Sequence, residues 1–300
     1  MDKLRAMTWF CRAAEAKSFA GAAKALGIVP SAISKTIAAL EAELGARLVN
    51  RSTKRLHLTH EGELYYERCR ALLQGLEETE AIARGGRVSP RGLLRVGMHP
   101  ALRFLLLNTL GRFVDNYPEL KIETVVTNSA AAVVDEGLDV VVRIGRLADS
   151  SLVARWLGRV QSIACAAPSY LKSAGEPTHP DDLAKHRAII YGRRDEVSNA
   201  AWTFTRAKER ITVSVPVRIV VRDGIGVTDA ALGGCGVALP LDASVQHLLK
   251  SGALRVLFPD WSGEHYPVFA VMPLAHGNTP AKVQAYVEFV ATLLKQGGYT

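Results

Sequence analysis

No run in the 300-residue sequence approaches the roughly 18 consecutive apolar residues of a membrane span. The opening stretch MDKLRAMTWFCRAAEAKSF carries charges throughout, where a secretion signal needs an apolar centre. The expected location is the cytoplasm, with no membrane partner. Cysteine is scarce: Cys11, Cys69, Cys165 and Cys235 stand apart with no C-x-x-C, so neither a zinc site nor a disulfide framework is written here. They read as buried thiols. No convergent acid, base and nucleophile is visible, and no cofactor cradle. Gly233-Gly234-Cys235-Gly236 lacks the G-x-G-x-x-G spacing and reads as a turn before a strand. Asp181-Asp182 most simply caps a helix after Pro180. His57 and His60, an H-x-x-H pair without further ligands, read as surface residues. The expectation is a binding protein with no catalytic residue, no metal and no cofactor.

What is present is ordinary globular composition, 48% hydrophobic and 22% charged, in a length that suggests about two domains. The net charge of +8 is unevenly placed. Residues 1–60 hold ten Lys/Arg against four Asp/Glu, whereas residues 61–90 hold four against six. A small basic segment ahead of a nearly balanced body suggests a polyanion reader, although a solvated basic face gives the same balance.

Within that segment Leu4, Met7, Phe10 and Ala14 recur at helical spacing, then Ser18 offers an N-cap and Gly27 a stop for a second short helix. A third runs from Pro30 and Ser31 to Gly45, with Ile33, Ile37, Leu40 and Leu44 on one face. At 100° per residue those four fall within an arc of about 60°, and Ser31, Ser34, Lys35 and Ala38 point away. A small, polar, basic face can enter a major groove, where Ser and Lys reach base edges. The basic turn Arg51-Ser52-Thr53-Lys54-Arg55 then looks like a wing. A three-helix structural bundle with a solvated loop fits the same periodicity.

Phe10, Ala14, the run Ser18 to Ala23, Leu26, Ser31 to Lys35, Ile37, Leu40-Glu41, Leu44-Gly45, Leu48, Arg51, Leu58-Thr59 and Gly62 resemble the N-terminal signature of LysR-type transcriptional regulators. Where that family often has Ser-Gln-Pro, this chain reads Val29-Pro30-Ser31. The resemblance implies a winged helix-turn-helix over 1–62 that binds double-stranded promoter DNA. Ser31, Ser34 and Lys35 would face bases, and Arg51, Lys54 and Arg55 would be wing contacts.

Tyr65, Cys69, Leu72, Leu76, Thr79 and Ala83 alternate at 4 and 3, a short heptad seam. Two copies can zip along it, or the helix can pack on its own body; the resemblance implies a homodimerising linker over 63–90, and a homotetramer. Gly85-Gly86 and Ser89-Pro90-Arg91-Gly92 mark the hinge.

Residues 91–300 alternate strands and helices. Strands are expected at Leu93 to Val96, Ile122 to Val126, Val140 to Ile144, Ile163 to Ala167, Ala188 to Tyr191, Ile211 to Val221, Val237 to Leu239 and Val268 to Met272, with a closing helix after Thr279-Pro280. This predicts an α/β domain on a largely parallel sheet, with ligands beyond the carboxyl ends of strands. Glu136-Gly137-x-Asp139, Arg143-Ile144-Gly145 and Gly236-Val237-Ala238-Leu239-Pro240 resemble the same family's effector domain. That implies two lobes like a periplasmic binding protein, 91–160 with 267–300 and 161–266 between, and a small-molecule effector in the cleft.

The family's effector positions fall here on His99, Ala101 and Leu102; Asn128 and Ser129; Arg143 and Gly145; Phe204; and Arg222 with Asp223. Many relatives grip a carboxylate with a Ser or Thr in the first of these loops, where this chain has Met98-His99-Pro100-Ala101. Arg143 and Arg222 suit an anion. Arg143 reads first, however, as a structural ion-pair partner. The expected function is an effector-modulated promoter-binding regulator; the alternative is a small-molecule binding protein or enzyme whose N-terminal helices serve assembly.

Overall fold

A computed structural model describes residues 2–51, 56–83, 89–147, 152–192, 199–273 and 279–299. The chain divides into two units, Met1–Val88 and Ser89–Thr300.

The first unit holds α1 (Lys3–Ala16), α2 (Phe19–Leu26), α3 (Pro30–Leu44), a hairpin of β1 (Val49–Arg51) and β2 (Leu56–Leu58), and α4 (His60–Ala83). Local chemistry sets these boundaries. Asp2 caps α1 by accepting from the Arg5 amide at 3.1 Å, and Ser18 caps α2 by accepting from Gly21 at 3.2 Å. Gly27 and Gly45 close α2 and α3 in the left-handed conformation, at φ +68° and +67°. Ile33, Ile37 and Leu40 are fully buried with Phe10, Ala22 and Leu48. Each buried side chain of that size contributes about 1.5–3 kcal/mol. Leu44, expected in the same apolar row, is 37% exposed because the row ends where the helix leaves the core.

The seam expected on α4 divides. Tyr65 and Cys69 turn into the unit's own core, where Tyr65 packs on Phe10 with ring centroids 5.5 Å apart. Leu72 and Leu76 stay exposed, and Leu64 joins them on the surface. The correction is positional: at 100° per residue Tyr65, Cys69, Leu72 and Leu76 share one face within about 60°, so they part where α4 runs past the unit's core, on which Leu73 still packs. The side chain of Ala83 lies outside the described residues.

The second unit contains two sheets. The first joins β3 (Gly92–Met98), β4 (Leu120–Val126), β5 (Val140–Ile144), β6 (Val153–Gln161) and a late strand, β13 (His265–Met272), in the order β4-β3-β5-β13-β6. A 3-10 turn (Pro100–Leu102), α5 (Arg103–Leu107), α6 (Leu110–Asp115), α7 (Ala132–Asp135) and the closing α11 (Ala281–Gln296) belong to this lobe. The second sheet joins β7 (Cys165–Ala166), β8 (Ala188–Tyr191), β9 (Asn199–Arg206), β10 (Glu209–Val221), β11 (Val237–Ala238) and β12 (Arg255–Val256), in the order β12-β7-β11-β8-β10-β9. With it go α8 (Pro168–Ala174), α9 (Gly224–Leu232) and α10 (Asp242–Lys250).

Neither sheet is largely parallel, which corrects the sequence expectation. In the first, β3 pairs parallel with β4 and β5, but β13 returns antiparallel between β5 and β6. In the second, β8 has parallel neighbours on both sides, and β7, β9 and β12 pair antiparallel. The chain crosses between lobes twice, after β6 and before β13. At the crossing Ser162 donates its amide to the Glu264 carbonyl at 2.9 Å and accepts the Glu264 amide on Oγ at 3.0 Å. A Cβ on Gly263 would come within 2.2 Å of the Ser162 carbonyl oxygen.

Lys282, buried on α11, ties this lobe together. Its Nζ donates to the Leu93 carbonyl and to Asp139 Oδ2, the latter at 2.9 Å, while that carboxylate also accepts the Arg95 amide at 2.8 Å. Asp182, read as a cap, accepts the Thr178 and His179 amides at 3.0 Å each, at the head of a 3-10 turn, Pro180–Lys185.

Candidate DNA interface and effector cavity

The axes of α2 and α3 meet at 111°, within the range of a helix-turn-helix. Val29 and Pro30 start α3 with no side-chain cap, which leaves the first-turn serine free to face outward. Burial of Ile33, Ile37 and Leu40 fixes the rotation of the helix. Ser31 and Lys35 are then exposed and Ser34 half-buried, on the side away from the core. The hairpin is anchored to α3 by Glu41, whose Oε1 accepts the amides of Leu48 at 2.7 Å and Val49 at 3.0 Å. Thr59 fastens its other end: its Oγ1 donates to the Arg47 carbonyl at 2.6 Å and accepts the Gly62 amide at 2.9 Å. Gly62 cannot carry a side chain, because a Cβ there would lie 1.9 Å from the Leu48 carbonyl oxygen. Arg51 ends β1, paired with Leu56. Lys54 and Arg55 lie outside the described residues.

A cavity of about 890 Å³ opens between the lobes of the second unit. Its walls are mostly apolar: Pro100, Ala101, Phe104 and Val126 on one side, and Ile189, Ile190, Trp202, Val227, Leu239 and Leu248 on the other. Polar groups enter through His99, Arg103 and Asn128 from the first lobe and Arg222, Asp223, Thr228, Ser244 and His247 from the second. Of the residues expected from sequence, the structure brings His99, Ala101, Asn128, Arg222 and Asp223 to the cavity wall.

Five do not reach it. Leu102 is fully buried, because the 3-10 turn that presents Ala101 to the cavity aims the next side chain into the first lobe's core. Phe204 is 1% exposed and packs on Phe258 in the second lobe's core, with ring centroids 5.9 Å apart; Trp202, two residues earlier on the same face of β9, takes the lining position. Ser129, Gly145 and Arg143 follow or end strands of the first sheet without lining the cavity. The structural ion pair expected of Arg143 is also missing among the described residues. Its one hydrogen bond runs from Nη2 to the Arg146 carbonyl at 3.4 Å, and its Nε is buried without a partner.

His99 is held on two sides. Its amide donates to the Val142 carbonyl at 2.8 Å, and its Nδ1 accepts the Ala101 amide at 3.1 Å. Burial, and after it the nearby Arg143 charge, push the imidazole down to about 4. Asp223 caps α9 by accepting the Gly226 amide at 2.6 Å. Across the cavity Phe104 stacks on His247, with centroids 3.5 Å apart and planes at 10°, and burial lowers the His247 pKa. Sequence reasoning missed Phe104, Trp202 and His247. Phe104 follows the expected loop directly, but nothing local marks a helix in the second lobe as its partner.

These two sites match one family along nearly the whole chain. Residues 4–63 fit the bacterial regulatory helix-turn-helix protein of the lysR family, and residues 87–295 fit the LysR substrate binding domain. The chain belongs to the LysR family of DNA-binding transcriptional regulators, which are not enzymes. It is a transcriptional regulator with an effector-binding domain, which sets aside the enzyme and assembly-module alternative. An HTH-type transcriptional repressor of Pseudomonas aeruginosa is 31% identical over 99% of this chain and 93% of its own. The HTH-type transcriptional activator AaeR of Escherichia coli is 32% identical over 96% and 92%. Among solved structures, CrgA of Neisseria meningitidis, a LysR-type transcriptional regulator, matches with a TM-score of 0.58 at 26% identity, over 98% of both chains. The Vibrio cholerae virulence activator AphB matches with a TM-score of 0.55 at 28% identity, over 96% of this chain and 98% of that one. Among the described residues, no single helix is long and apolar enough to cross a membrane.

Proposed function

We propose that this regulator acts in the cytoplasm as a homodimer, assembled further into a tetramer, that reads a two-fold symmetric promoter site and changes its grip when a small molecule enters the cavity. The observation that carries the reading is α3, which buries Ile33, Ile37 and Leu40 and turns Ser31, Ser34 and Lys35 outward. A helix with one committed face and one small, polar, basic face suits a major groove. Ser31, Ser34 and Lys35 would meet bases, and Arg51, Lys54 and Arg55 would meet phosphates beside them. Exposed Leu64, Leu72 and Leu76 along α4 support pairing of two copies. The effector would lie against His99, Ala101, Asn128, Arg222 and Asp223. Closure of the lobes around it would alter how paired dimers bend DNA.

Footprinting of the purified protein on the DNA beside its own gene, at two salt concentrations and with excess nonspecific competitor, tests this. A protected dyad that survives competitor is expected. Ser34→Ala should weaken that site by about 1 kcal/mol or more, and Arg55→Ala should weaken all DNA and lower the salt slope by about one. A folded dimer that protects nothing at either salt overturns the proposal.

A further inference from the structure

Resting on the reading of the cavity as the effector site, we infer that the effector is an uncharged, largely apolar molecule whose body lies against the second lobe. The wall separates into an interior and a rim. The second lobe builds the interior, from buried Ile189, Trp202 and Val227 and half-buried Ile190 and Leu248. Thr228, buried beside Val227, adds a hydroxyl and no charge. Among the described residues, every Asp, Glu, Lys and Arg of the wall stands at the rim: Arg103, Arg222, Asp223 and Asp229 are all exposed. Two cations stand against two anions there, and Asp223 is engaged with the Gly226 amide.

The two imidazoles of the wall add no charge at neutral pH. Burial, and the Arg143 charge after it, push His99 down to about 4, and burial lowers His247. The anion that Arg143 and Arg222 suggest in the sequence therefore finds no seat inside: Arg143 does not line the cavity, and Arg222 stands at its exposed rim. A carboxylate or ammonium group placed in this interior gives up its hydration with no fixed opposite charge in exchange. Apolar surface, in contrast, gains in proportion to the area taken from water. At about 890 Å³ the cavity lies toward the upper end of the roughly 300–1,000 Å³ span of small-molecule pockets, so it admits a body well beyond a few carbon atoms.

Straight-chain alcohols from 1-butanol to 1-octanol are the probes, each paired with the carboxylate of the same chain length at pH 8 and constant ionic strength. Binding to the full-length protein is followed by calorimetry, with melting in parallel. Affinity for the alcohols should rise about fourfold per added methylene, and octanoate should bind at least about tenfold more weakly than 1-octanol. Ala200, half-buried on the Trp202 face of β9, lines the same floor, so A200W fills it and should abolish octanol binding. L248W should do the same from α10. Octanoate bound as tightly as octanol, an affinity for alcohols that is unmeasurable or flat with chain length, or wild-type octanol affinity in a folded A200W or L248W overturns the inference. Should neither variant fold, the comparison of alcohol with carboxylate on the wild type decides alone. Footprinting of the same preparations reports separately on the regulator reading, which stands or falls without it.

Discussion

Replacing Lys282 by Met isolates a single polar tie within an otherwise apolar lobe. The side chain is 11% exposed, and its ammonium donates both to Leu93 of β3 and, at 2.9 Å, to Asp139 before β5. Met has similar length and keeps the packing of the aliphatic stem, so the loss is confined to two charge-assisted hydrogen bonds and the charge left on Asp139. That carboxylate is 26% exposed and retains the Arg95 amide at 2.8 Å, so it rehydrates in part. The cost then falls below the 3–5 kcal/mol of a fully buried broken pair, at about 2–3 kcal/mol. For a unit of some 200 residues this is a fall in Tm of roughly 5–10 °C. Urea unfolding and calorimetry of K282M, D139N and the double variant measure it. The double variant should cost about 1 kcal/mol less than the sum of the singles, because it removes both charges together. A K282M loss under about 0.5 kcal/mol, or strict additivity, refutes the claim that the pair acts as a unit.

Three further outcomes follow from the geometry. E41A removes the carboxylate that accepts the Leu48 and Val49 amides; it should cost the first unit about 2 kcal/mol and weaken operator binding in gel shifts, and unchanged melting would show that the hairpin is held by other contacts. Burial raises the Asp242 pKa to about 6, so folding takes up a proton there, and the stability gained at low pH is lost as pH rises through that value. D242N cannot titrate, so its stability relative to wild type in urea should climb between pH 4 and 7; a flat difference would contradict the shift. G263A forces a Cβ to within 2.2 Å of the Ser162 carbonyl oxygen, so the second unit should melt lower while the DNA footprint is retained, and an unchanged melt would mean the crossing relaxes freely.

The parts of this architecture governed by neighbours in sequence were legible. Caps at Ser18 and Gly27, the Pro30 start of α3 and the 3.6-residue spacing of Ile33, Ile37 and Leu40 act within a few residues, and the structure places them accordingly. The run Glu136-Gly137-x-Asp139 was legible only as a resemblance, and its physical reason, the partner Lys282, lies 143 residues away. Strands β6 and β9 escaped the reading because Val-Ala-Arg-Trp and Asn-Ala-Ala lack an apolar alternation on their exposed faces. The mixed sheets escaped it for another reason: the direction of β13 is set by a pairing with β5 and β6 that no local period encodes. At the cavity, loop order pointed to His99, Ala101, Asn128, Arg222 and Asp223, which line it, and equally to Ser129, Arg143 and Gly145, which do not. Which way a side chain points, Leu102 against Ala101 and Phe204 against Trp202, is set by packing that no local pattern shows.

The two passages between the lobes are adjacent strands of one antiparallel ladder, registered from Met272 opposite Val153 to His265 opposite Gln161 and continued by the Ser162–Glu264 bonds. Two rails fastened rung by rung cannot slide past each other, since a slip of one residue would exchange the faces of every side chain. They can bend and twist together. Shear of the second lobe along the ribbon is thereby barred, and any swing about it has also to break the Phe104–His247 stack that joins the lobes. A ligand seated between the lobes then acts on the angle between them, not on their offset along the ribbon.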